Sequence, residues 1–213
     1  MIIDGITAGG KHSFVDFGLC IKEKKIGLPQ KKRITAEVPH MNGSYDFTTM
    51  SGDATWSDRE ISYTFDILGE TERDMNTQRD AILNWLMTLD DVDIYDDVMP
   101  GYHFHGSYSD GDISDEIELS TFTAKFACYP FRIADSETSI ALDVGESSVS
   151  HYGQAVKCYI TCTAAGSITL NGSAQSFLAN TRTELSSLLI HGDNSISLTT
   201  SGSAILSFTE EII

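Results

Sequence analysis

The chain has 213 residues, 41% of them hydrophobic, and sets 14 Lys+Arg against 31 Asp+Glu for a formal net charge of -17. So acidic a balance weighs against a protein that grips nucleic-acid phosphates, which needs a basic stripe. No apolar run approaches the roughly eighteen residues of a membrane helix, and the opening MIIDGITAGGKHS lacks the basic-then-apolar layout of an export signal. The length fits one large domain or two small ones.

The first 22 residues read as a strand at 1–3, a turn at Ala8-Gly9-Gly10 and a second strand over 14–21. The bases Lys22, Lys24, Lys25, Lys31, Lys32 and Arg33 crowd the next segment and read as a solvated hairpin end. Ile34, Ala36 and Val38 alternate with polar residues, a strand that Pro39 ends or places at an edge. A polar turn at Asn42-Gly43 and a small segment around Ser51-Gly52-Asp53 follow. Ile61, Tyr63, Phe65 and Ile67 then alternate with Ser62, Thr64 and Asp66, which puts a core face on a long strand.

The period then changes. Met75, Ile82, Leu86 and Leu89, widened by Leu83 and Trp85, make one face of an amphipathic helix over residues 72–89, with Thr71 as its N-cap. Its expected place is against the Ile61/Tyr63/Phe65 face, because neither element buries its apolar side alone. Residues 90–118 carry ten acids and no Lys or Arg. Within them, 102–108 reads as a strand, Asp110-Gly111-Asp112 as a hairpin turn, and 117–128 as the returning strand.

Past Arg132 the composition shifts to Ser, Thr, Gly and Ala, with short alternating apolar bursts separated by turn signals at Asn171-Gly172 and Gly192-Asp193-Asn194. That pattern predicts a small β-sandwich. The expected organisation is a β-rich domain with one helix over residues 1–133 and a sandwich domain over 134–213.

Residue patterns for chemistry are sparse. His103 and His105 share one face of a strand, but a metal needs a third and usually a fourth ligand. Asp96-Asp97 and Asp110/Asp112 lack the twelve-residue calcium-loop layout, and paired carboxylates predict no acid–base catalysis without a cleft. No nucleophile elbow, phosphate loop or dinucleotide fingerprint occurs. Cys20, Cys128, Cys158 and Cys162 form no Cys-x-x-Cys pattern. On one strand Cys158 and Cys162 stand roughly 13 Å apart, too far for a disulfide. Free thiols in a reducing compartment are expected, with no metal and no cofactor. Both tryptophans, Trp56 and Trp85, fall in the first domain. A sugar platform in the second rests on Tyr152, Tyr159, Phe177 and Phe208 alone.

Several segments resemble the distal tail protein (Dit) family of long-tailed bacteriophages and prophages. Phe17-Gly18-Leu19 is similar to the family's early "FGL" strand, and Val38-Pro39-His40-Met41-Asn42-Gly43-Ser44-Tyr45-Asp46 to its "VPGRDG" hairpin, with His40, Met41 and Asn42 departing from the pattern. The segment Ser57 to Phe65 resembles the strand before the family's helix, in which Arg59 takes the arginine position. Asp96-Asp97-Val98-Met99-Pro100-Gly101-Tyr102 resembles its "DD-x-x-P-x-Y" segment, and Phe126-Ala127-Cys128-Tyr129-Pro130-Phe131 its first-domain exit. In the second domain, residues 188–196 are similar to a "G-x-N-x-I" hairpin of a galectin-like sandwich.

The resemblance implies a structural, non-enzymatic protein of the virion tail tip, assembled in the host cytoplasm. It implies a homohexameric ring built by the first domain. Such a ring joins the tail tube to the tail tip or baseplate, meets tape-measure and receptor-binding proteins, and passes DNA without binding it specifically. Second domains project outward. Strands 102–108 and 117–128 are candidates to extend a sheet between subunits, which makes Arg59, Tyr102, Phe104 and Tyr108 assembly candidates. Asp110, Asp112, Asp115 and Glu116 are candidates to line the opening, where like charge suppresses DNA binding. The alternatives are a cell-wall carbohydrate-binding module of the virion and, behind it, a metal-dependent hydrolase using His103, His105 and the acids.

Overall fold

The computed structural model describes residues 4–40, 42–48, 54–67, 72–115 and 120–213. The strand expected at residues 1–3, the Ser51-Gly52-Asp53 segment, the Thr71 cap and Glu116 lie outside the described residues. The chain forms two compact units, Met1–Pro130 and Phe131–Ile213.

The first unit contains β1 (Ile6–Ala8), β2 (Lys11–His12), α1 (Ser13–Phe17), β3 (Cys20–Ile26), β4 (Thr35–Glu37), β5 (Ser44–Asp46), β6 (Arg59–Ile67), α2 (Glu72–Leu86), β7 (Val92–Asp96), β8 (Tyr102–Asp115) and β9 (Ser120–Cys128). Seven strands make an antiparallel path in the order β2-β1-β7-β8-β9-β6-β3, while β4 and β5 pair with each other in a sheet of their own. The period-2 pattern of β6 holds to the residue. Arg59, Ile61, Tyr63, Phe65 and Ile67 are buried, while the residues between them are not. Ile82, Trp85 and Leu86 of α2 join the same core, as the 3.6-residue stripe predicts. Each fully buried side chain of this kind contributes roughly 1.5–3 kcal/mol relative to exposure.

Residues 14–21 are not a strand throughout. His12 caps α1, its Nδ1 accepting from Phe14 N–H at 3.2 Å and Val15 N–H at 3.1 Å. Gly18 ends the helix in the left-handed region at φ 68°, and Leu19 N–H closes back on Ser13 O at 3.0 Å. The Phe17-Gly18-Leu19 motif is therefore a helix C-cap. Phe17 stacks on Trp85 with centroids 4.8 Å apart, and Leu19 is fully buried.

The Asp110-Gly111-Asp112 turn is likewise absent. Those residues lie inside the fourteen-residue β8, beside a bulge in its ladder with β9 between Tyr108 and Asp110. Gly111 serves close packing there: a Cβ would lie 2.6 Å from Tyr108 Oη and 2.8 Å from Thr123 O.

The second unit contains β10 (Arg132–Ala134), β11 (Thr138–Leu142), β12 (Gly145–His151), β13 (Cys158–Cys162), β14 (Gly166–Leu170), β15 (Ser173–Phe177), β16 (Thr183–Glu184), β17 (Gly192–Thr200), β18 (Ala204–Phe208) and β19 (Glu211–Ile212). Two four-stranded sheets, β11-β18-β13-β16 and β12-β17-β14-β15, close over Ile160, Ile168, Leu189, Ile196, Leu198 and Leu206. The protein is thus mainly β, a sandwich joined to a β-rich unit with helices.

Asn171 and Gly172, both at positive φ, form the two-residue turn between β14 and β15. Asn194 is fully buried with its amide satisfied: Oδ1 accepts from Asn171 Nδ2 and Ile190 N–H, and Nδ2 donates to Val149, Ile190 and Gly192 carbonyls. One side chain thereby fixes the loop before β17 and the neighbouring turn.

Candidate functional site

The acids of residues 90–118 divide by what they hold. Asp96, at the end of β7, is buried. Its Oδ2 accepts from Lys24 Nζ at 2.9 Å and from Tyr63 Oη at 3.0 Å, and its Oδ1 from Val98 N–H. Burial first, then the Asp96 charge, holds the Tyr63 phenol far above its ordinary pKa. Asp97 accepts from Gly5 N–H at 3.0 Å and meets His12 Nε2 at 2.9 Å. Since Nδ1 of His12 already accepts two backbone bonds, the Nε2 proton is the one donated to Asp97. The Asp-Asp pair is therefore a clamp joining β7 to β3, β6 and the N-terminal segment, with both carboxylates engaged by protein.

The outer half of β8 is different. Its ladder with β7 runs from His103 to Gly106, and the segment after α2 covers the next step through a Tyr108 N–H to Leu89 O bond of 2.9 Å. Beyond that, among the described residues of this unit, 109–115 pair only with β9. This stretch is a sheet edge. It exposes Asp110 and Asp112, which share Lys125 at 3.5 and 3.4 Å, and Ile113, which is 39% exposed although its register partner Phe122 is in the core. Asp112 foremost, then Asp110, raises the lysine's pKa. Asp115 ends the strand.

The assembly candidates fall in two places. Arg59 is buried on the core face of β6, and its guanidinium reaches past β9 to lie 5.1 Å from the Phe104 ring centroid. Phe104 is itself core. Arg59 also pulls against the burial that pushes the Cys128 thiol up to about 12. Tyr102 and Tyr108 are half-buried, Tyr108 edge-on to Phe126 at 6.1 Å. Strand β9 lies between β8 and β6, so of the two strands expected to extend a sheet only β8 presents an edge.

His103 and His105 do share a face. His105 is held between carboxylates, Nδ1 to Asp93 at 2.8 Å and Nε2 to Asp91 at 2.9 Å; the Asp93 hydrogen bond foremost raises its pKa. His103 packs beside Tyr95 at 5.0 Å. Among the described residues no group of three or more His, Cys, Asp or Glu is placed to hold a metal ion. In the second unit Tyr159 is covered by Arg182 at 4.1 Å, whereas Tyr152 is exposed beside His191.

One feature escaped the sequence. Residues 30–40 and 42–47 are exposed throughout, a hairpin arm built on β4 and β5. The apolar side chains Ile34, Val38, Tyr45 and Phe47 are all exposed. Alternation alone does not reveal whether an apolar face is covered by its own chain.

The model of the phage tail protein RIFT-related domain family matches residues 20–128, so the chain belongs to that family. It is a structural component of a phage tail. Its fold is that of the SPP1 Dit protein, whose crystal structure presents it as a paradigm of the hub adsorption apparatus in phages infecting Gram-positive bacteria. The two align over 100% of each chain at TM-score 0.75 and 16% identity. Chains of the phage p2 baseplate in its activated conformation, with strontium or with calcium, align over 98% of each chain at TM-score 0.47, with 8% and 7% identity. No curated protein sequence matches the chain.

Proposed function

We propose that the protein is the hub of a long phage tail, a homohexameric ring that joins the tail tube to the tail tip or baseplate and lets DNA through. The observation that carries this reading is the outer half of β8: among the described residues of the first unit, 109–115 pair only with β9, with Asp110 and Asp112 on one face and Ile113 on the other. An edge of that kind offers backbone N–H and C=O groups to a strand of another copy. A head-to-tail contact repeated by rotation closes a ring. Tyr102 and Tyr108 belong to the strand that carries the contact, while Arg59 and Phe104 tie that strand to β6 across β9. Of the candidate lumen acids, Asp110 and Asp112 belong to the edge where copies meet, and the charge that lines the opening and repels the passing DNA is assigned to Asp115 and Glu116. The second unit supplies surface for other tail components, and the chain does no catalysis. Negative-stain images of the purified protein test the reading. Six-fold rings with a central hole are expected; particles of one or two copies at every concentration would overturn it.

A further inference from the structure

We infer that the β4–β5 arm is a docking element that adds to the free edge of β8 in a second copy of the chain. This rests on the self-assembly reading above and names the contact that makes it. The register pairs Thr35 with Asp46, Ala36 with Tyr45 and Glu37 with Ser44, and Phe47 N–H donates to Ile34 O at 2.7 Å. The arm is consequently two-faced. Ile34, Ala36, Val38, Tyr45 and Phe47 lie on one side, with the two rings 6.1 Å apart; Arg33, Thr35, Glu37, Ser44 and Asp46 lie on the other. A two-stranded hairpin that leaves such a face in water is marginal on its own.

The β8 edge has the matching asymmetry. Ile113 and Tyr108 stand on the core side and Asp110 and Asp112 on the other. At the arm's root Lys31, Lys32 and Arg33 put three consecutive cations on a chain of net charge -17. An arm laid along β8 continues its hydrogen-bond ladder, covers Ile113 with its apolar face and brings its basic root to Asp110 and Asp112. In a ring, that contact forms the seam between neighbouring copies.

Disulfide trapping tests it. Full-length Tyr45→Cys and full-length Ile113→Cys are mixed and oxidised, with Tyr45→Cys plus Met87→Cys as control and particle images recorded in parallel. A linked dimer in the first mixture only is expected. Reversing the root (Lys31→Glu, Lys32→Glu, Arg33→Glu) should cut its yield by about tenfold, and Asp110→Lys with Asp112→Lys in the partner should restore it. Rings without the crosslink, or equal crosslinking in the control, overturn the arm contact and leave the ring standing. The crosslink without rings overturns six-fold closure and leaves the contact standing. Neither rings nor crosslink overturns both.

Discussion

Two acid pairs in the first unit look alike in sequence and do opposite work. Asp96 and Asp97 are turned inward, their oxygens taken by Lys24, Tyr63, His12 and backbone N–H groups. Asp110 and Asp112 stand on an exposed edge with one shared lysine. The first pair joins strands of one molecule; the second faces whatever comes next. A carboxylate's task is set by its burial and by the partner that removes its cost, not by its place in an acidic run.

The comparison is broken most forcefully at Asp96. Replacing it by Ala strips Lys24 and the Tyr63 hydroxyl of their common partner, and should cost about 3 kcal/mol in urea unfolding of the first unit. A smaller loss, about 1 kcal/mol, is expected for Asp97→Ala, which releases Gly5 N–H and His12.

His105 sharpens the contrast through pH. Its folded pKa is raised by Asp93 and Asp91, so its stabilising contribution is complete below the unfolded value of about 6.5 and disappears as pH rises through the folded value. Unfolding titrations across that window should show the loss in wild type and not in His105→Gln. The smallest stability effect belongs to Asp110→Asn with Asp112→Asn. The unfolding midpoint should stay put, while the assembled fraction in a sedimentation run changes.

Periodicity made the long elements legible. Strand β6, strand β9 and helix α2 bury the faces that their spacing marks out. Asn171-Gly172 gave its turn because few residues tolerate positive φ. The rest depended on distant partners. A histidine N-cap is unusual, so Phe14 and its apolar neighbours read as a strand until His12 is seen capping them. Asp-Gly-Asp reads as a turn unless the bulge at Tyr108 is known. The Asp96 and Asp97 clamps close over sequence separations of 33 to 92 residues, which no local pattern encodes. The arm's alternation was visible; its exposure was not, because a face built for a neighbour has the same period as a face built for a core.

Amide hydrogen exchange of residues 109–115, compared between assembled and monomeric fractions, tests most directly the claim that the free half of β8 is where copies meet. These edge amides should exchange fast in the monomer and be protected on assembly. Equal, fast exchange in both fractions would contradict the account.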